Sequence, residues 1–286
     1  MTNRLDLRDL KEYSNIFNPT IFNLFKKEIK ANYSEGKRIF DPKFSEKTLN
    51  IKEIKKGSFK VEREDTHGAH FYLSLIPELS APFSDKVNEG ILSVNLVESQ
   101  LYNPKVELWE SAREPKNIEY TRLIDRGLRA GVINFENLSI DEKNCIKLNI
   151  DIHVVKFSGE LLDLIYYSLS KILKSYKLPK LVKINDAFKL IDEENILEEH
   201  NVITKDLTIL KDICLCRTVY FSENYTYDYC SEVEVRSLNS GLFIVSDGNQ
   251  KIKAIQKLGN IPVEENLLLN TIEESIKINL QTINKI

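Results

Sequence analysis

Two histidines three residues apart are the first candidates for chemistry in this chain. His67 and His70 could place two imidazoles on one metal ion if the segment between them were helical. The flanking residues instead predict a loop that leads into a strand, and no third ligand stands out nearby. We therefore expect structural or solvent-facing roles for both rings, and the sequence predicts no bound metal.

The cysteines do not indicate a reactive thiol or a disulfide framework. Cys145 and His153 belong to one predicted strand and lie eight positions apart, which separates them by about 26 Å and excludes a thiolate–imidazole pair. Cys214 and Cys216 project to the same side of a strand, where core packing is the expected role. With Cys230, the chain has four cysteines, too few for a dense disulfide framework.

Two polar patterns remain as candidate sites. Asp151 and His153 share the polar face of a strand and could form an acid–base couple, although a partly solvated sheet face is the expected role. Arg122, Arg126 and Arg129 lie on one predicted helix, where a solvated face is expected and a phosphate-contacting patch is the alternative. No Walker loop, dinucleotide fingerprint, zinc-protease motif or hydrolase elbow occurs, so standard enzyme motifs are absent.

The charge balance excludes a protein that captures nucleic acid by itself. The 286 residues include 40 Lys and Arg against 43 Asp and Glu, a formal net charge of −3, whereas phosphate neutralisation calls for a strongly basic domain. Residues 26–63 have a local charge of +6, and residues 192–199 are acidic. Because no apolar run could cross a bilayer and no signal-peptide core begins the chain, we expect an intracellular protein without membrane contact.

Hydrophobic periodicity predicts strands, then helices, then strands, then a helix. The clearest signal alternates from Ile146 to Val154, turns at Ser158-Gly159 and continues at helical spacing to Pro179. The order predicts a two-part α+β protein. The other predicted elements are a helix at 19–31, strands at 48–54, 58–61 and 70–76, a helix from 115 to about 131, strands at 213–221 and 225–235, a hairpin of 241–246 with 251–258, and a helix at 263–283.

Two central stretches resemble a known family. The run Asp151 to Pro179 is similar to the strand, turn and helix signature of RNase PH-type proteins, with Ser158 to Asp163 in place of the family's D-G-N-L-L-D. The run Ile118 to Arg129 (IEYTRLIDRGLR) is similar to the family helix I-E-L-A-R-V-I-D-R-G-I-R, and Asn134 to Ile140 follows it in place of D-L-x-x-L-x-I. Both matches occur in the family's order.

Further matches extend the resemblance to about residues 20–285. Glu78 to Pro82, Asn88 to Gly90 and Val94-Asn95 resemble segments of the ring subunits of the RNA exosome, and Ser34 to Arg38 stands where the family has R-x-D-G-R. The chain departs from the catalytic members, which have a Gly-Ser-Arg-type phosphate loop and an acidic residue before a strand of the second half. It has no Gly-Ser-Arg, and Ser237 to Leu242 contains no carboxylate.

The resemblance implies an α+β RNase PH-like fold of two βαβ-type halves with mixed sheets. It implies a helical extension at 1–33, a first half at 34–182 and a C-terminal half at 183–286. The implied function is a non-catalytic structural subunit of the exosome core ring that supports 3′-5′ RNA processing and degradation, including rRNA maturation, by threading RNA to a separate nuclease. An active phosphate-dependent 3′-5′ exoribonuclease is the alternative, and a free-standing ligand-binding protein is a third possibility.

The resemblance also implies partners. They are other RNase PH-like subunits in a hetero-hexameric ring, RNA-binding cap subunits, and RNA in the central pore, with no cofactor and with localisation to the nucleus, nucleolus and cytoplasm. If RNA touches this subunit, we expect the phosphate contacts to come from Lys37, Arg38, Arg113 and Lys116.

Overall fold

The structure is a computed structural model. It describes residues 49–63, 69–98, 115–156, 161–184, 187–191, 201–203, 208–222, 225–227, 240–259 and 262–286. The predicted helix at 19–31, His67, Cys230 and the Ser158-Gly159 turn lie outside these ranges. Within them, no helix is long and apolar enough to cross a membrane.

The first half is built on a five-stranded mixed sheet. Alternating apolar side chains give each strand one buried face, and in the longest strand every second residue from Ile146 to Val154 is fully buried. The spatial order is β1-β2-β3-β5-β4, with β4 parallel to β5 and the other pairs antiparallel. The strands are β1 (Leu49–Lys55), β2 (Ser58–Arg63), β3 (His70–Ser80), β4 (Ile91–Glu98) and β5 (Cys145–Lys156).

Two helices pack with this sheet. Helix α1 (Pro115–Gly127) packs against β4, and helix α2 (Leu161–Ser175) is apolar around most of its circumference. Such a helix must be covered on several sides, and α2 also packs against the second half of the chain. Its residues belong to a hydrophobic core that includes both Leu148 of β5 and Phe243 of the second half.

The second half has a four-stranded antiparallel sheet in the order β10-β9-β11-β12. One face covers α2, and the C-terminal helix α3 (Glu265–Ile283) packs on β9 and β11. A small antiparallel sheet in the order β7-β6-β8 lies between the halves in the chain. These strands are β6 (Lys180–Ile184), β7 (Ala187–Ile191), β8 (Asn201–Ile203), β9 (Cys214–Ser222), β10 (Tyr225–Tyr227), β11 (Ser240–Asp247) and β12 (Ile252–Gly259).

The structure confirms the α+β class and the main elements within the described residues, and it differs from the expectations at three points. Mixed pairing occurs only in the first half, since every described pairing of the second half is antiparallel. Strands β7 and β8 lie on either side of the acidic residues 192–199, in a segment for which we predicted no strand. Helix α1 ends at Gly127, short of the expected end near residue 131, and continues as a π turn. Of the strand predicted at 225–235, the structure describes only residues 225–227, which form β10. The predicted boundary at 182/183 falls inside β6, and the domain division stays a prediction.

Candidate functional site at the junction of the halves

Arg122 and Arg126 of α1 and Arg129 of the following π turn differ in the contacts that they make. The Arg129 guanidinium forms an ion pair with Asp125 at 2.9 Å and donates to the Leu92 carbonyl oxygen of β4 at 2.7 Å. Its Cζ lies 5.7 Å from the centroid of the Phe135 ring, within cation–π range. These contacts tie the end of α1 to the sheet, so Arg129 is engaged in holding the fold.

Arg122 and Arg126 are exposed to solvent on α1. Arg126 Nη1 donates to Gln256 Oε1 of β12 at 3.3 Å, an exposed contact across the junction. Arg122 forms no ion pair with any residue that the structure describes. The expected solvated helix face is confirmed for these two side chains, and Arg126 adds positive charge beside β12.

A π turn follows α1 and has a buried tyrosine against it. Residues Leu128–Val132 form the turn, closed by a hydrogen bond from the Ile133 amide to the Leu128 carbonyl. The Tyr166 hydroxyl of α2 donates towards the carbonyl oxygens of Leu123 and Ile124 at 3.0 and 3.1 Å. Burial raises the pKa of Tyr166 well above its ordinary value, so the hydroxyl stays protonated and can donate at any physiological pH.

The same junction contains an ion pair at the turn between β11 and β12. The Asp247 carboxylate, which is 2% exposed, lies 3.1 Å from Lys253 Nζ, and Asp212 lies 3.6 Å from the same nitrogen. Asp247 also accepts from the amides of Asn249 and Lys251 at 2.8 and 2.9 Å. Burial opposes ionisation of Asp247, but these amides and the Lys253 ammonium outweigh it and lower the pKa of the carboxyl.

The open face of the first sheet brings together the polar residues that could form an acid–base couple. Asp151 accepts from Asn95 Nδ2 at 2.9 Å, while His153 is half-buried opposite Tyr72. The expected partly solvated sheet face is therefore what the structure has. No hydrogen bond joins Asp151 to His153 among the described contacts.

His70 begins β3 on the same open face. Its ring centroid lies 5.4 Å from that of Tyr72, and its Nε2 has no hydrogen-bond partner. Burial, with the nearby Lys60 ammonium, lowers the pKa of His70, so the ring is neutral at pH 7. In the described part of the chain, no group of three His, Cys, Asp or Glu side chains could hold a metal ion.

Cys214 and Cys216 lie in the core, as we predicted. Both are buried in the cluster that links the halves, and Cys145 is buried at the start of β5. Burial raises the pKa of Cys214 to about 12, and it raises that of Cys216 well above its ordinary value. A thiol of this kind has almost no thiolate at neutral pH and does not serve as a nucleophile.

The structure does not test the predicted RNA contacts. Lys37, Arg38 and Arg113 lie outside the described residues. Lys116 stands in the first turn of α1, but its side chain is not among those described. All four assignments stay predictions.

Sequence reasoning missed Tyr166 and Asp247, which shape the junction. Tyr166 stands within the apolar periodicity of α2 and gives no polar signal in the sequence. Asp247 begins the Asp-Gly turn of the predicted hairpin, and its lysine partner comes from the following strand. Such a turn aspartate commonly accepts from the backbone two residues later, a signal that could have identified its position but not its burial.

Comparisons with known proteins relate the chain to exosome components. No family model matches it. Similar curated proteins include exosome complex component Rrp42 of Thermococcus onnurineus, 28% identical over 167 residues (56% of this chain, 60% of the relative), and that of Thermococcus kodakarensis, 31% identical over 153 residues (51% and 54%). The relative from Pyrococcus horikoshii is 30% identical over 181 residues, 61% of each chain.

Solved structures with a similar fold include chains of two archaeal exosome structures. A chain of the Archaeoglobus fulgidus exosome with RNA bound to the active site superposes with a TM-score of 0.65 at 22% identity, covering 83% of this chain and 86% of that one. The fold is RNase PH-like. An archaeal exosome core chain gives a TM-score of 0.61 at 21% identity (83% and 84% covered), and rice Rrp46 gives 0.54 at 11% (83% and 90% covered).

The sequence matches do not extend over the full relatives. The chain spans 60%, 54% and 61% of the lengths of the three curated relatives named above. Similarity at this level, together with the shared fold, supports the exosome resemblance in general. It does not favour one ring position.

Proposed function

We propose that the chain is a non-catalytic structural subunit of an RNA exosome core ring, supporting 3′-5′ processing and degradation of RNA by a separate nuclease. The observation that carries the proposal is the fold, which superposes over 83% of this chain on a chain of the archaeal exosome that has RNA bound to its active site. The curated relatives with similar sequence are exosome components as well. In this role the fold supplies a wall of the ring.

The chemistry of the junction supports a non-catalytic role. Phosphorolysis needs a cationic cradle for the attacking phosphate and an acid that protonates the leaving oxygen. Asp247 is a buried carboxylate there, but its lowered pKa keeps it ionised at neutral pH, where it cannot donate a proton. Its Lys253 partner is held by Asp247 and Asp212 and is not available as a phosphate cradle.

The proposed partners are the other RNase PH-like subunits of a hetero-hexameric ring, RNA-binding cap subunits, and RNA in the central pore. Ala81-Pro82 with the loop to Val94-Asn95 resembles ribosomal RNA-processing protein 43, and proteins 42 and 45 of that series are alternatives. The similar curated proteins are archaeal Rrp42 components, which supports the ring family without selecting protein 43. We further propose localisation to the nucleus, nucleolus and cytoplasm, which imaging of a tagged chain would test.

The test of the ring proposal is co-expression with candidate ring and cap subunits, followed by native mass spectrometry and RNA protection. We expect this chain in a ring, and we expect reversal of charge at Lys37, Arg38, Arg113 and Lys116 to shorten the protected RNA. A control variant reverses four exposed lysines elsewhere and should leave protection unchanged. Those lysines are Lys171, Lys177, Lys211 and Lys277.

Two results would overturn the proposal. The first is a chain that is monomeric in the presence of every candidate subunit, which would favour a free-standing ligand-binding protein. The second is phosphate-dependent release of nucleoside diphosphates from an RNA 3′ end that only changes in this chain abolish. That activity would make the chain a phosphorolytic exoribonuclease. Unchanged protection after the four reversals would remove the RNA-contact assignment alone.

A further inference from the structure

Strand β12 is an open edge of the second sheet. It is the outermost strand of the order β10-β9-β11-β12 among the strands described, it has eight residues and it contains no proline. One row of its backbone N–H and C=O groups is therefore directed away from the sheet, a template on which another strand can pair. Ile252 and Ile255 are 43% and 39% exposed on this edge.

The exposed apolar surface continues from β12 onto α3. Ile255 is paired with Ile244 of β11, and Ile244 shares a hydrophobic cluster with Ile272 of α3. Ile283, near the end of α3, lies close to Gly248 in the turn that leads into β12. The strand and the helix thus form one surface, which we call the β12–α3 surface.

The helix contributes a flank of partly covered apolar side chains to this surface. Leu269 is 52% exposed, and four further residues on the same flank are half-buried. Three of the seven exposed large hydrophobic residues in the described part of the chain lie on the β12–α3 surface, and a gathering of this kind marks an interaction site. The half-buried residues are Ile272, Ile276, Leu280 and Ile283.

The charges along β12 determine which partner fits. From Gln250 to Gly259 the chain has three lysines and no carboxylate, and Arg126 of α1 contacts Gln256 from the other side of the strand. Lys253 is already paired with Asp247 and Asp212, so Lys251 and Lys257 are the exposed lysines of this segment. A second copy that paired through its own β12 would bring no carboxylate to them and would place further lysines nearby, so these charges disfavour a second copy of this chain.

We propose that the β12–α3 surface docks a different RNase PH-like subunit of the same ring, whose exposed edge strand pairs with β12 and presents carboxylates to its lysines. The inference rests on the proposed function and adds to it the surface and the chemistry of the neighbour. Backbone pairing provides the alignment, and the isoleucines of β12 with Leu269 provide the buried apolar centre.

The experiment measures binding of the full chain to each candidate ring subunit by titration and native mass spectrometry. The variant Ile255→Lys/Leu269→Lys should bind its neighbour about a hundredfold more weakly, at roughly tenfold for each apolar anchor. Ile54→Lys, which changes a 59% exposed isoleucine of β1 on the other sheet, is the matched control and should bind as wild type does. Because all three positions are exposed, the variants should keep the wild-type melting temperature.

Three outcomes separate this inference from the proposed function. If wild type binds no ring subunit, the proposed function fails and the inference fails with it. If wild type assembles and the double variant assembles equally well, the inference fails while the proposed function stands. If wild type forms a homodimer that the double variant loses, the surface is an interface for a second copy and the hetero-subunit assignment is wrong.

The reversal Lys257→Glu should weaken binding of an acidic neighbour, and unchanged binding would refute the charge assignment.

Discussion

The Tyr166 hydroxyl lies where α1 ends and the π turn begins. Replacement of Tyr166 by phenylalanine tests how much this hydroxyl stabilises that part of the fold. The side chain is fully buried, and the hydroxyl is the donor to the carbonyl oxygens of Leu123 and Ile124. Tyr166→Phe removes the donor and leaves its buried acceptors in place. Loss of one partner of a buried hydrogen bond costs about 1–3 kcal/mol, and we expect a loss of about 2 kcal/mol.

A second variant makes the test specific to this contact. A Cβ on Gly127 would lie 2.0 Å from the Tyr166 hydroxyl oxygen and 2.9 Å from Cζ. Gly127→Ala should therefore destabilise the wild-type protein, and it should destabilise the Tyr166→Phe protein less because the closest atom has gone. The double variant should cost about 1 kcal/mol less than the two single changes together, the size of coupling expected for residues in contact.

Urea and thermal unfolding of the four proteins would measure these differences. For a chain of this size, about 2 kcal/mol corresponds to a fall of roughly 4–8 °C in Tm. Tyr72→Phe is the control, since Tyr72 is 37% exposed on the open sheet face and its replacement should have almost no effect. A Tyr166→Phe protein within about 0.5 kcal/mol of wild type, or equal costs of Gly127→Ala in both backgrounds, would refute the reasoning.

Three further predictions concern buried polar groups. Asp247→Asn should lower the free energy of unfolding at pH 7. The difference from wild type should disappear as the pH falls through the lowered pKa of Asp247, because a carboxylate with a depressed pKa adds stability only at a pH above that pKa. Urea titrations between pH 7 and pH 2 measure this difference. Cys214 and Cys216 should resist iodoacetamide at pH 8 in the native protein and should react with it in urea. Peptide mass spectrometry measures the labelling, and labelling of either thiol in the native protein would contradict its burial. Asn279→Ala should lower the free energy of unfolding by about 1–3 kcal/mol, because the Asn279 side-chain amide donates to the Leu215 carbonyl oxygen and to Ser246 Oγ where α3 packs on the sheet. Equal urea midpoints of the variant and the wild type would contradict this prediction.

The first half of the fold could be predicted closely because apolar residues alternate along its strands and recur at helical spacing along its helices. The alternation from Ile146 to Val154 corresponds to the buried face of β5, and the spacing of Leu162, Ile165 and Leu169 corresponds to the buried side of α2. The π turn could not be predicted, because it depends on Tyr166 approaching Gly127 from 39 positions along the chain. Local patterns do not report contacts of that kind.

Helix α3 shows a further limit. Its apolar periodicity places Leu268, Ile272, Ile276, Leu280 and Ile283 on one face of the helix. The structure instead buries Thr271, Ser275, Ile278, Asn279 and Thr282 against the sheet and leaves the predicted face half-covered. The prediction of a helix is confirmed, and its apolar face is not the face that the chain's own sheet buries.

The polar face of α3 can be buried because its hydroxyls are satisfied within the helix. Thr271, Ser275 and Thr282 each donate to the carbonyl four residues earlier, at 2.7, 2.7 and 3.0 Å. Small side chains of this kind let a helix approach a sheet closely without leaving an unpaired polar group. The isoleucines and leucines of the neighbouring flank are then left for another surface to cover. Hydrophobic periodicity reports burial in the final assembly, and in the proposed ring this flank of α3 is buried by the neighbouring subunit instead of by the chain's own sheet.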